Sequence, residues 1–187
     1  MKKTVLIIIA IVAMTALYFV NTYNSMVTKT QDMDGQWAQV ETQYQRRFDL
    51  IPNLVSSVKG IFEQEQDVFG AIAEARTKYS GAQSVDEKAQ AATQVESALA
   101  RLLVIVENYP QLQSNTTVLG LMDELAGTEN RISVERKRFN DLVRVYNTMI
   151  KRFPTNIVAN MFNFDARAFF EAVEAAQEAP QVDLTTN

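Results

Sequence analysis

Apolar positions along this chain recur at intervals of three and four residues, the spacing that keeps side chains on one face of an α-helix. Met26, Thr30, Met33, Trp37, Val40 and Tyr44 make the first such stripe. Ile51, Leu54, Val58, Ile61, Glu65, Val68, Ile72, Arg76 and Tyr79 make a second, widened by Phe62 and Phe69. Val95, Leu99, Leu102, Leu103 and Val106 make a third. The longest runs through Val118, Leu121, Leu125, Thr128, Ile132, Glu135, Phe139, Leu142, Tyr146, Met149 and Phe153. No strand-like alternation bounded by turn signals interrupts them. The pattern predicts an all-α chain with helices over roughly 24–48, 50–79, 84–108 and 116–152, plus a short one near 165–178. Helices of these lengths, each with one apolar face, pack as an antiparallel bundle of about four.

The predicted breaks rest on local chemistry. Asp49 can cap a helix and Pro52 is tolerated in a first turn, so 49–52 reads as a junction. Ser80-Gly81-Ala82-Gln83-Ser84 reads as a loop with Ser84 or Asp86 as the next cap. Tyr109-Pro110 ends the third helix, 114–117 supplies an N-cap, and Phe153-Pro154 ends the fourth.

Ahead of the stripes the pattern changes. From Thr4 to Val20 the chain is apolar except for Thr15 and Tyr18. Val5, Leu6, Ile7, Ile8, Ile9, Ile11, Val12, Leu17, Phe19 and Val20 carry this run, which has no polar face to turn to water. As a helix Val5–Val20 is about 24 Å long; continued to Tyr23 it approaches the ~30 Å of a bilayer core, with Tyr18 and Tyr23 at one interface. The reading is a single-pass transmembrane anchor over 1–22 that continues as a stalk into a helical domain over 23–178, with a loose tail at 179–187. A cleaved signal peptide has a similar start, but Met14 stands where a small residue is wanted before a cleavage site. Lys2 and Lys3 outweigh Lys29, which predicts a cytoplasmic N-terminus and a helical domain on the extracytoplasmic side of a bacterial membrane.

Composition narrows the chemistry. The 187 residues include no histidine and no cysteine. Imidazole bases, thiolate nucleophiles, disulfides, iron–sulfur clusters and the usual zinc ligands are therefore excluded. No cofactor and no metal is expected. With 18 basic and 22 acidic residues the net charge is −4, without a basic stripe, so a nucleic-acid partner is not expected either. Asp123 and Glu124 are adjacent on a helix and point about 100° apart, so they do not converge for acid–base work. The chain reads as a non-enzyme.

Specific strings then become recognisable. Arg46-Arg47-Phe48-Asp49-Leu50-Ile51-Pro52-Asn53-Leu54-Val55 is followed by Val58-Lys59-Gly60. Further along stand Ala75-Arg76, Glu107-Asn108-Tyr109-Pro110, Thr128-Glu129-Asn130-Arg131-Ile132, Tyr146-Asn147-Thr148 and Phe153-Pro154. The whole resembles the LemA family of bacterial membrane-anchored helical proteins, over about residues 21–170. Phe48 departs from the family pattern, where a histidine is common. The resemblance implies an N-terminal membrane helix and an antiparallel bundle, and offers no catalytic residues to carry over. Some relatives, the magnetosome-associated members, act in forming or shaping organelle membranes.

Two constellations remain. Glu65, Arg76, Glu129 and Arg136 fall on or beside apolar stripes; the expectation is a buried ion network that fixes helix register, with a charged ligand site as the alternative. Ile157, Val158, Met161, Phe162 and Phe164, then Phe169 and Phe170, are denser in apolar groups than a terminal segment needs. They either fold over one end of the bundle or form an interaction surface. The expected partners are the lipid bilayer, further copies of the chain, and in the alternative a membrane or envelope protein such as a protease or sensor. The expected function is a self-associating scaffold at a membrane; an adaptor for such a partner is the second reading.

Overall fold

The computed structural model describes residues 2–58 and 66–170. They form six helices: α1 Lys2–Ser57, α2 Gln66–Gly81, α3 Val85–Asn108, α4 Pro110–Gln113, α5 Thr116–Lys151 and α6 Thr155–Met161. The all-α expectation holds, and no strand occurs among the described residues.

The helix starts and stops follow the chemistry of their ends. Ser84 caps α3: its Oγ accepts from the Glu87 amide at 3.2 Å while the Glu87 carboxylate accepts from the Ser84 amide at 3.2 Å, a reciprocal capping box. Pro110 follows the end of α3 and opens the single turn of α4. Asn115 Oδ1 accepts from the amides of Thr117 and Val118 at the start of α5. α6 closes on Asn163, whose φ of 55° is the left-handed conformation asparagine tolerates. The Phe164 amide then donates back to the Ala159 carbonyl at 2.9 Å, as in a Schellman cap.

Two sequence expectations fail. The break at 49–52 is absent: α1 runs unbroken for 56 residues with Pro52 inside it. Pro52 cannot donate to the Phe48 carbonyl, which costs a helix interior about 3 kcal/mol. Buried Phe48, Ile51, Leu54 and Val58 continue at helical spacing across that point, so a break would expose them. Arg46, Arg47 and Asp49 therefore sit mid-helix and cap nothing. The helix expected near 165–178 is also absent where it can be seen: residues 165–170 are irregular, and 171–178, with the tail, lie outside the described residues. α6 was not anticipated; at seven residues it is too short for periodicity to reveal.

The chain divides into two compact units: Met1–Gln43 with Asn130–Phe169, and Tyr44–Glu129 with Phe170–Asn187. In the first, α1 and α5 run antiparallel. Trp37 meets Phe139 edge-on at 5.4 Å between ring centroids, Ser25 Oγ lies 4.0 Å from Met149 Sδ, and Tyr18 Oη lies 3.5 Å from Thr155 Oγ1. As one partner moves down the chain, the other moves up. Met26, Met33, Trp37 and Val40 bury there, as do Ile132, Phe139, Val143, Tyr146 and Ile150. The α5 stripe thus turns through Val143 and Ile150 rather than Leu142 and Met149. Phe153, expected to continue it, is 81% exposed. The charge that interrupts the stripe, Glu135, is satisfied locally: Gln36 Nε2 donates to it at 2.7 Å and Arg138 Nη1 pairs at 2.8 Å.

In the second unit α2 and α3 form an antiparallel pair beside the end of α1 and the start of α5, around Leu54, Ile72, Val95, Leu102 and Val118. The α2–α3 turn is short, and Lys78 Nζ donates to Gln94 Oε1 across it at 3.2 Å.

Candidate functional site

The second unit holds a charge cluster under an aromatic cover. Arg47 is one turn past Tyr44 on the inward face of α1, and its side chain is 7% exposed. Its Nη1 binds Glu129 Oε2 at 2.7 Å and lies 3.7 Å from Glu96 Oε1. Tyr44 Oη donates to the same Glu96 oxygen at 3.2 Å. The rings of Tyr44, Phe48 and Tyr79 pack on one another at centroid distances of 4.8–6.1 Å. Burial pushes the Glu96 carboxyl up to about 7; the neighbouring Glu129 adds to the rise and Arg47 opposes it. One cation thus serves two carboxylates, and the more buried of the two is the one that takes up a proton near neutrality. Arg46, the neighbour of Arg47, points elsewhere and makes an exposed pair with Glu124 at 3.0 Å.

Of the four residues expected to form a buried network, Glu129 belongs to this cluster. Arg76 is half-buried on α2. Arg136 lies in the first unit, where burial pulls its guanidinium down to about 10, still cationic at neutral pH. Glu65 lies outside the described residues. The residues missed from sequence are Arg47 and Glu96. Arg47 was legible: it stands three residues after Tyr44 and four before Ile51, within the stripe. Glu96 sits next to Val95 and at helical spacing from Ala92 and Leu99, so its place at the edge of the α3 stripe was the one signal available. Among the described residues no group of three acidic side chains could hold a metal ion.

The apolar segment after α5 divides in two. Val158 is fully buried and Phe170 nearly so. Ile157, Met161, Phe162 and Phe169 are exposed, and Phe164 is half-buried. Tyr23 of α1 meets Phe162 at 4.8 Å and Phe164 at 5.7 Å between centroids. The segment beyond α6 is tied to α5 through its backbone. Tyr146 Oη donates to the Asp165 carbonyl at 3.0 Å. Asn147 donates to the Arg167 carbonyl at 2.8 Å and accepts from the Arg167 amide at 2.9 Å. Asn147→Ala removes both Arg167 bonds and should cost about 1–2 kcal/mol. Deuterium exchange at the Arg167 amide would rise, and unchanged exchange there would refute the clasp.

The anchor residues Val5, Leu6, Ile7, Ile8, Ile9, Ile11, Val12, Leu17 and Val20 are all exposed on α1, which is long and apolar enough at this end to cross a membrane. Phe19 is the first residue that is not fully exposed.

Residues 36–184 match the sequence model of the LemA family. The chain belongs to the LemA family. It is 26% identical to "Magnetosome protein MamQ 2" of Paramagnetospirillum magneticum over 89% of this chain and 71% of the relative. It is likewise 26% identical to "Magnetosome protein MamQ" of Magnetospirillum gryphiswaldense, over 90% of this chain and 73% of the relative. "Protein LemA" of Metamycoplasma hominis is 23% identical over the whole chain and 84% of the relative. This LemA chain is a membrane-associated helical protein, and the apolar opening of α1 is its candidate membrane span. The Arg46–Val55 string that carries the family resemblance contains the buried arginine of the charge cluster. The Tyr146-Asn147 string contains the clasp.

Proposed function

We propose that the protein is a non-enzymatic scaffold that self-associates and organises the membrane in which it is anchored. The observation that carries this reading is the join between span and body. In the first unit a single uninterrupted helix contains the apolar segment and then, from Thr22 onward, the buried Met26, Met33, Trp37 and Val40. No linker lies between them, so a tilt or displacement of the body is transmitted to the lipid around α1. A flexible linker would decouple the two. Relatives named as magnetosome proteins support the same reading. The absence of histidine and cysteine from the sequence supports a physical rather than a catalytic role.

The test is the mass of the full-length protein, solubilised in detergent and reconstituted in vesicles, by light scattering and electron microscopy. The scaffold reading expects assemblies larger than a dimer that alter vesicle shape as protein density rises. A monomer on vesicles of unchanged shape would overturn it.

A further inference from the structure

The bare part of α1 is too short to cross a bilayer alone. From Thr4 to Tyr18 every residue is exposed; that stretch is about 22 Å long, against a hydrocarbon core of about 30 Å. Some 20 residues are needed, which from Thr4 reaches Tyr23. The last turn and a half of the span, 18–23, therefore lies beside folded protein. What stands there is the α5–α6 corner: Thr155 Oγ1 lies 3.5 Å from Tyr18 Oη, and Phe162 and Phe164 pack on the Tyr23 ring.

The corner's outer surface suits that level. Phe153 in the turn before α6, and Ile157 and Met161 one turn apart on α6, are all exposed, Phe153 at 81% and Met161 at 57%. Phe162 joins them. Exposed Lys151 and Arg152 precede Phe153, and from Leu142 to Phe164 the chain has no acidic residue. An apolar surface bordered by cations with long alkyl stems is the composition of an interfacial membrane contact. The apolar groups enter the acyl boundary and the cations reach lipid phosphates.

We propose that the α5–α6 corner is a second membrane contact. Phe153, Ile157, Met161 and Phe162 insert at the bilayer interface beside the end of the span, and Lys151 and Arg152 bind anionic headgroups. The proposal rests on the reading of α1 as a membrane span. With two contacts instead of one, the body cannot swivel freely about α1, and its wedge adds area to one leaflet only.

The chain lacks cysteine, so single cysteines report cleanly. Full-length Phe153→Cys, Met161→Cys, Ile9→Cys and Asp141→Cys proteins are spin-labelled. They are reconstituted into phosphatidylethanolamine–phosphatidylglycerol vesicles at low protein density, where accessibility to oxygen and to a water-soluble nickel complex is compared. The oxygen-to-nickel ratio at 153 and 161 should exceed that at 141 several-fold and approach that at 9. Labels at 153 and 161 as open to nickel as 141, with Ile9→Cys still deep, would overturn the corner contact and leave the span intact. An Ile9→Cys label open to nickel would overturn the span itself, and the corner contact with it. Protection from both reagents with dipolar broadening between labels would assign the corner to a second copy of the chain and overturn lipid contact.

Discussion

Arg47→Ala should destabilise the full-length protein by about 3 kcal/mol, the lower end of the cost of breaking a buried ion pair, because Glu129 is 42% exposed and keeps part of its hydration. The guanidinium is almost fully enclosed and is the cation facing both Glu129, at 2.7 Å, and Glu96, at 3.7 Å. Without it two carboxylates face each other under the Tyr44–Phe48–Tyr79 rings. Loss of packing adds to loss of charge, because the arginine stem is buried as well as its head. The neighbouring residue is an internal control. Arg46 and Glu124 are each about half exposed, and such a pair contributes about 0–1 kcal/mol. Arg46→Ala should therefore move a denaturant midpoint little. Combining Arg47→Met with Glu129→Gln should recover much of the loss below pH 7, where Glu96 is protonated and no charge is left stranded. Equal effects of Arg46→Ala and Arg47→Ala would show that the cluster is not buried in the folded protein.

What could be read from the sequence was what depends on nearby residues. The Ser84–Glu87 capping box, the stop before Pro110 and the end of α5 ahead of Pro154 were visible because caps and prolines act within a turn. The apolar stripes identified Met26, Met33, Trp37, Val40 and Tyr44, all of which are buried. The errors arose where tertiary packing overrode a local preference. Pro52 ordinarily ends a helix, yet burial on both sides of it carries α1 through. Phe153 continues the α5 stripe on paper, but the helix ends two residues earlier and the ring turns outward.

The candidate site was less legible than the fold, for a related reason. A stripe reports which face is buried and not what a polar residue on it meets. Glu129 was marked by its place beside the buried Thr128, but its partner is 82 residues away on another helix. Glu96 stands at helical spacing from Ala92, Leu99 and Leu103, but a lone acidic residue at the edge of a stripe reads as its solvated border, so its partners on α1 and α5 stay hidden. The corner beyond α5 was conspicuous for its apolar density, yet density alone did not divide it. Only the burial of Val158 and Phe170 separates the residues that pack from Phe153, Ile157 and Met161, which face outward.

Glu96 should make the second unit less stable as pH rises toward neutrality. Its carboxyl titrates near the ordinary 4.5 in the unfolded chain and at about 7 in the folded one. A raised acid favours the folded state while it is protonated. That contribution is fully present below pH 4.5 and declines as pH rises through the interval. It is gone above about 7, where Glu96 is ionised in both states. The shift corresponds to about 3 kcal/mol across the window. Glu96→Gln keeps a hydrogen-bond acceptor for Tyr44 and cannot ionise, so it should gain stability relative to the parent at pH 8 and gain little at pH 4.5. The measurement is the difference in melting temperature between the two full-length proteins across that range, which cancels the titration of every other group. A difference that stays flat, or that grows toward acid, would mean that Glu96 is solvated or is held ionised by Arg47. The same comparison in an Arg47→Ala background separates these outcomes. Arg47 is the group that lowers the Glu96 carboxyl, so its removal should move the transition to still higher pH if the pairing across 3.7 Å is real.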